Sequence, residues 1–242
     1  MNAGDIAGKL VSWIRDRVAE SECRGVVLGM SGGIDSSVAA VLCQRAFPQD
    51  ILGVIMPCYS VSEDAEHALA VASKFSIKTE TVVLDSVFDA LVRTLPGDMT
   101  DMPDGRIPRA NLKVRLRMLT LYYFANQYKY LVVGSSNRSE LAIGYFTKYG
   151  DGGSDILPLG NLVKGQVREL AGFLGVPREI IDKPPSAGLW SGQTDEADLG
   201  VTYDELDRYL LTGEASNEAK RNIESRIEAC GHKRQPPPIP DF

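Results

Sequence analysis

Seven consecutive residues, Ser31-Gly32-Gly33-Ile34-Asp35-Ser36-Ser37, combine features suited to holding a phosphate. Gly32 and Gly33 let the backbone approach an anion closely, and Ser36 and Ser37 add hydroxyl donors. No lysine follows them, so the stretch is not a G-x-x-x-x-G-K-[ST] loop gripping a γ-phosphate. An aspartate, Asp35, stands in the loop instead. A carboxylate beside polyphosphate makes chemical sense if it holds a cation, and Mg²⁺ suits it best. A second carboxylate, Glu140, closes the run Gly134-Ser135-Ser136-Asn137-Arg138-Ser139-Glu140. Asp35 alone offers few oxygens, so Glu140 is read as its partner in holding the metal. The competing reading makes Glu140 a first-turn helix residue favoured by the helix dipole.

The surrounding elements must bring these groups together. Gly25–Met30 is a short apolar run that reads as a buried strand, and the alanine-rich run from Val38 to Cys43 reads as the start of a helix. A strand, a glycine turn and a helix N-terminus point backbone N–H groups at one spot. Residues 5–20 carry Ile6, Leu10, Ile14 and Val18 at helical spacing. Strands are expected at 50–57, 78–85 and 130–134, with helices at 62–75, 86–95 and 108–128 between them. Residues 96–105 are rich in breakers and read as a loop. Further helices are expected at about 164–174, 203–211 and 217–230, around irregular stretches at 149–155 and 183–192. Strands alternating with helices mean a doubly wound parallel sheet with helices on both faces. Ligands in such folds bind beyond the carboxyl ends of the strands, where the loops ending in Asp35 and Glu140 both lie.

The chain has 242 residues, 44% hydrophobic and 24% charged, the profile of a single compact domain. Net charge is −6, which argues against a nucleic-acid surface or an anionic membrane as partner. No apolar run is long enough to span a membrane, and residues 1–5 do not read as a signal peptide. Cys23, Cys43, Cys58 and Cys230 are far apart, so reduced thiols in a cytoplasmic protein are expected. His67 is read as a surface residue, and the tail Pro236–Pro240 as an extended packing segment.

The loop at 31–37 resembles the S-G-G-x-D-S loop of ATP-pyrophosphatases, which cleave ATP to AMP and pyrophosphate. Four further stretches extend the likeness to the ammonia-dependent NAD synthetases: Asn111–Met118, Gly134–Glu140, Gly144–Gly153, and Lys183–Trp190 followed by Gln193–Glu196. The resemblance covers most of the chain. It implies an adenine nucleotide alpha hydrolase-like, Rossmann-like three-layer fold and a carbon–nitrogen ligase. Deamido-NAD would be adenylated by ATP and then amidated by ammonia, with AMP and pyrophosphate released. It also implies that Gly29, Met30, Ser31, Gly32, Gly33, Ile34, Asp35, Ser36, Ser135, Lys164 and Ser186 contact ATP. Asp35 and Glu140 would share Mg²⁺, and Arg115, Lys148, Asp155, His232 and Lys233 would hold deamido-NAD. From the sequence alone Lys164 is equally well a surface lysine, and Arg115 a residue snorkelling from the apolar edge of its helix. Asp151, flanked by Gly150 and Gly152, either accepts or steers a proton of ammonium or simply forms a turn.

Family members are homodimers with deamido-NAD between subunits, so a homodimer is expected here. The 108–128 helix supports it with Leu112, Leu116, Leu119, Leu121, Tyr122, Tyr123 and Phe124, a face wider than one sheet covers. The chain carries no N-terminal glutaminase domain, so free ammonia is the expected nitrogen source. Two rival readings are another amidating, sulfur-transferring or tRNA-modifying ATP-pyrophosphatase, and an ATP-binding module without turnover.

Overall fold

The computed structural model describes residues 2–96, 106–190 and 192–241. Most of the loop expected at 96–105, together with Ser191 and Phe242, lies outside the described residues. Four parallel strands form the sheet: β1 (Gly25–Gly29), β2 (Ile51–Ile55), β3 (Thr79–Thr81) and β4 (Tyr130–Val133). Their spatial order is β3-β2-β1-β4, with Val27 opposite both Leu52 and Val132. Strand order therefore reverses between β1 and β4, which places a crevice beyond their carboxyl ends.

Side chains alternate across the central strands and build two cores. Val26, Leu28, Ile51, Ile55 and Val133 face one layer, formed by α1 (Ala3–Glu20), α2 (Ile34–Ala46), α3 (Ser62–Lys74) and α7 (Lys164–Leu174). Val27, Leu52, Val54 and Val132 face the other, with α4 (Asp85–Thr94) and α5 (Arg106–Tyr128). The expected doubly wound sheet with helices on both faces is what forms. Helix α2 is apolar nearly all round, and Val38 to Cys43 are fully buried between the sheet, α1 and α7. At about 1.5–3 kcal/mol for each buried Val or Leu, this packing fixes the helix whose N-terminus faces the crevice.

Several boundaries differ from expectation. Strand β3 is only Thr79–Thr81 because it is the sheet edge, and Val83 beyond it is exposed. Helix α5 begins at Arg106, with Pro108 in its first turn, where a proline costs no intrahelical hydrogen bond. The short helix α6 (Arg138–Ile143) begins within the loop read up to Glu140, and α8 (Arg178–Ile181) and α9 (Asp195–Leu199) fall in stretches to which the sequence reading assigned no element. Helices α10 (Tyr203–Thr212) and α11 (Asn217–Ala229) enclose a third core with Tyr203, Leu206 and Ile223. The four cysteines are free, and three are buried. His67 is half-buried rather than on the surface: its Nδ1 is sealed from solvent without a partner, and Nε2 lies 3.8 Å from Glu63. Among the described residues, no helix is long and apolar enough to cross a membrane.

Candidate functional site

The glycine-serine stretch at 31–37 sits between β1 and α2 as expected, but α2 starts earlier than its apolar run suggests. Gly33 is the N-cap and offers no side chain, so the first backbone N–H groups of α2 point into the crevice without a side-chain cap. Gly32 adopts φ +79°, and a Cβ there would come within 2.1 Å of the Asp64 carbonyl oxygen. Only glycine meets both conditions. Because the helix begins at Ile34, Ser36 and Ser37 lie in its first turn. Both hydroxyls donate back to the Gly33 carbonyl, at 3.0 and 2.8 Å, instead of standing free. Ser31 Oγ lies 3.0 Å from Ser36 Oγ and accepts from the Gly33 N–H at 3.3 Å, which ties the loop into one shape.

Asp35 and Glu140 do converge, and the cation between them is Lys164. Its Nζ lies 2.5 Å from Asp35 Oδ2 and 3.2 Å from Glu140 Oε1. Lys164 opens α7 and is only 2% exposed, so it is not a surface lysine. Burial alone would lower its pKa, but the two carboxylates outweigh it and hold the ammonium above its usual range. Burial pushes the Glu140 carboxyl up, against the pull of Lys164 and with the help of the neighbouring Asp35 charge.

Two positioning residues escape a reading based on chemistry alone. Asn137 donates from Nδ2 to Asp35 Oδ1 at 2.9 Å, and its Oδ1 accepts the Glu140 N–H at 3.0 Å. Glu140 Oε2 in turn accepts the Asn137 N–H at 3.2 Å, closing a capping box on α6. Glu140 is thus both the first-turn residue and half of the carboxylate pair. The N-x-x-E spacing at 137–140 is a signal that could have found Asn137. Asp207, from α10, accepts from the Gly165 N–H at 2.7 Å and from Ser139 Oγ at 2.5 Å, and Ser139 Oγ accepts the Lys164 N–H at 3.1 Å. Asp207 therefore pins the N-terminus of α7 to α6; no short-range pattern marks it.

The remaining expected contacts fall into three groups. Ser135 is half-buried in the turn after β4. Ser186 is exposed on the segment 183–190, which Lys183 ties to Asp64 at 2.8 Å and Lys113 ties to the Leu189 carbonyl at 3.3 Å. This segment therefore reaches from α3, whose Asp64 also borders Gly32, to α5. Arg115, Lys148 and His232 form a relay of backbone contacts: Arg115 donates to the Lys148 carbonyl at 3.2 Å, and Lys148 Nζ to the His232 carbonyl at 2.7 Å. Lys233 Nζ donates to the Gly144 and Phe146 carbonyls. Asp155 accepts from the Val132 N–H and the Tyr122 hydroxyl at the end of β4. Asp151 is exposed and accepts the Thr147 N–H at 2.7 Å, as a turn-forming aspartate does. These residues lie together around the 144–155 turn, on the opposite face of α5 from the row of Arg109 and Lys113.

The arrangement can cradle a polyphosphate on the α2 amides and present two carboxylates and an ammonium beside it. Among the described residues no group of three or more His, Cys, Asp or Glu side chains could hold a metal by itself. Two carboxylates with phosphate oxygens are a donor set that suits Mg²⁺, and the Lys164 contacts show that both already reach one cation.

The sequence profile of the NAD synthase family matches residues 6–237. The chain is 49% identical over 232 residues to an NH(3)-dependent NAD(+) synthetase of Carboxydothermus hydrogenoformans, covering 96% of this chain and 95% of that one. Among solved structures, NMN synthetase from Francisella tularensis superposes with a TM-score of 0.93 at 37% identity, each chain fully covered. NH3-dependent NAD synthetase from Campylobacter jejuni superposes with a TM-score of 0.82 at 28% identity, again over both whole chains.

Proposed function

We propose, for a chain that belongs to the NAD synthase family, that it amidates deamido-NAD with ammonia at the expense of ATP, releasing AMP and pyrophosphate. The observation that carries this reading is the near full-length match, at 49% identity, to a relative of that activity, in a chain whose phosphate cradle lies at the strand-order reversal.

In the first step the nicotinate carboxylate attacks the α-phosphorus of ATP, giving an acyl-adenylate. The β- and γ-phosphates lie on the α2 amides, which together with the helix dipole stabilise the departing pyrophosphate. Lys164 can turn part of its charge from the carboxylates to a phosphate oxygen, because its Nζ lies between Asp35 and Glu140. Asp35 and Glu140 would hold Mg²⁺, which when bound neutralises phosphate charge. Asn137 and Asp207 keep these groups in register. The segment carrying Ser186 lies across the crevice and excludes water from the reactive adenylate. In the second step ammonia forms the C–N bond as the bond to AMP breaks. Arg115, Lys148, Asp155, His232 and Lys233 are assigned to the dinucleotide, and Asp151 to steering the nitrogen nucleophile.

The assembly that completes this reading is a homodimer. Leu119 and Tyr123, 63% and 65% exposed, supply the outward apolar face of α5. Leu121 and Tyr122, by contrast, turn inward onto the sheet. The superposition on an NMN synthetase favours a second reading, in which the mononucleotide of nicotinate is the amide acceptor.

The test is pyrophosphate release by the purified protein with ATP, Mg²⁺, ammonium and either nicotinate nucleotide. Turnover with deamido-NAD exceeding that with the mononucleotide supports the first reading, and the reverse order replaces it with the second. Pyrophosphate release independent of any nicotinate nucleotide overturns both. Glutamine in place of ammonium is expected to give no turnover.

A further inference from the structure

A buried carboxylate beside the candidate site has no role so far. Asp195, in the Gln193–Glu196 motif, opens α9 and is 4% exposed. Its Oδ2 accepts the Tyr203 hydroxyl at 3.0 Å. Its Oδ1 is sealed from solvent and accepts no hydrogen bond from the chain. The Tyr145 hydroxyl stands between two carboxylates, in hydrogen-bonding reach of Asp195 and 2.9 Å from Asp198 Oδ2, and its single proton serves one of them at a time. A buried carboxylate oxygen without a donor is costly; burial pushes the Asp195 carboxyl up, and a donor from outside the chain would hold it in its ionised form.

The surroundings specify that donor. Asp195 borders the Lys164 group closely enough for its charge to act on Lys164 and Glu140. Asp35 and Glu140 contact the ammonium of Lys164 and Asp195 acts on it from farther away, so the negative charge here favours a further cation on the Asp195 side. Tyr203 already carries the Lys164 Nζ at 5.0 Å from its ring centroid, so this wall suits ammonium-type ions. The Tyr145 hydroxyl keeps lone pairs as a further acceptor, which an ion with four N–H bonds can use. A divalent metal suits the place less well, since no third metal-binding side chain joins in among the described residues. The Asp195 N–H donates to the Pro185 carbonyl at 3.0 Å, which fixes the carboxylate next to the segment carrying Ser186.

We propose that Asp195, flanked by Tyr145 and Tyr203, is the seat where the enzyme binds ammonium, its nitrogen substrate. The inference rests on the amidation reading given above and adds to it a nitrogen site distinct from Asp151. It concerns binding of the ion before its transfer.

The decisive variant is Asp195→Asn, which keeps an acceptor for Tyr203 and removes the charge. Wild-type turnover with ammonium is measured first; its absence would overturn the amidation reading, and this inference with it. With the wild type active, Asp195→Asn should raise the KM for ammonium about tenfold to a hundredfold, the loss expected for a hydrogen bond to a charged group. The KM values for ATP and deamido-NAD and the ammonium-independent release of pyrophosphate should stay at wild-type levels. Hydroxylamine, neutral at mildly alkaline pH, should support nearly equal turnover in variant and wild type, because the lost charge has no ion to hold. An unchanged KM for ammonium, or equal loss with both nucleophiles, would overturn the proposal. Should Asp195→Asn fail to fold, Tyr145→Phe takes its place: a several-fold rise in the KM for ammonium supports the seat, and an unchanged value refutes it.

Discussion

Replacing Lys164 with Met removes one charge and keeps the aliphatic stem, so it isolates the electrostatics of the site. The ammonium lies 2.5 Å from Asp35 and 3.2 Å from Glu140, and its side chain is 3% exposed. Those contacts leave the two carboxylate oxygens less than about 6 Å apart, where like charges repel by about 3 kcal/mol at an effective dielectric constant of ~20. Breaking a buried pair by removing one partner costs about 3–5 kcal/mol in general, which agrees. The protein has one escape, protonation of Glu140, whose pKa is already raised by burial and loses the opposing pull of Lys164 in the variant. The sign follows from linkage. A carboxyl with a raised folded-state pKa binds more protons folded than unfolded, so stability falls as pH rises from its unfolded value through its folded one. With Glu140 raised to about 8 and higher still in the variant, urea denaturation near pH 10 should therefore show a loss of about 3–5 kcal/mol, shrinking to about 1–2 kcal/mol below pH 7. Mg²⁺ with ATP should restore more stability to the variant than to the wild type. A loss under about 1 kcal/mol near pH 10, or one that does not shrink on acidification, would refute this account of the site.

Asp35→Asn and Glu140→Gln should each lower ATP-dependent pyrophosphate release by about a hundredfold or more while circular dichroism stays native; full activity in both would remove the carboxylate pair from the mechanism. Gly32→Ala meets both a positive φ and the Asp64 carbonyl, so ATP affinity by calorimetry should fall steeply, and wild-type affinity would show that the loop geometry is not needed. Leu119→Glu and Tyr123→Glu should leave a folded protein that sediments as a monomer, whereas Leu121→Glu, packed toward Gly29 and the sheet core, should lose stability instead. Wild-type sedimentation as a monomer at micromolar concentration, with normal turnover, would dismiss the dimer.

The parts of this protein legible in its sequence are those set by neighbours along the chain. The alternation of Val26, Val27 and Leu28 between two cores follows from the two-residue period of a strand, and the glycine loop follows from a turn that only glycine can make. Even there, the hydroxyls of Ser36 and Ser37 escape, because a helix that starts at Ile34 turns them back onto Gly33. Leu121 and Leu119 are two residues apart on α5 and nearly opposite in direction, so a count of apolar residues cannot say which one meets solvent. The Lys164 site is illegible for a different reason: it joins residues 129 positions apart, and a lysine at a helix start reads as surface until the third core is in place behind it.

That third core is what gives the carboxylates their setting. Tyr203 and Asp207 lie four residues apart on α10, hence on one face, and that face meets the head of α7. Asp207 caps the backbone of Gly165, while the Tyr203 ring lies against the ammonium and its hydroxyl reaches Asp195. One helix face outside the sheet thus sets both the cation between Asp35 and Glu140 and the free oxygen of Asp195. A strand-end loop could supply the phosphate cradle by itself. Holding a buried ammonium between two carboxylates requires rigid dipoles and packing from a separate element, which explains why the chain continues for so many residues past its last strand.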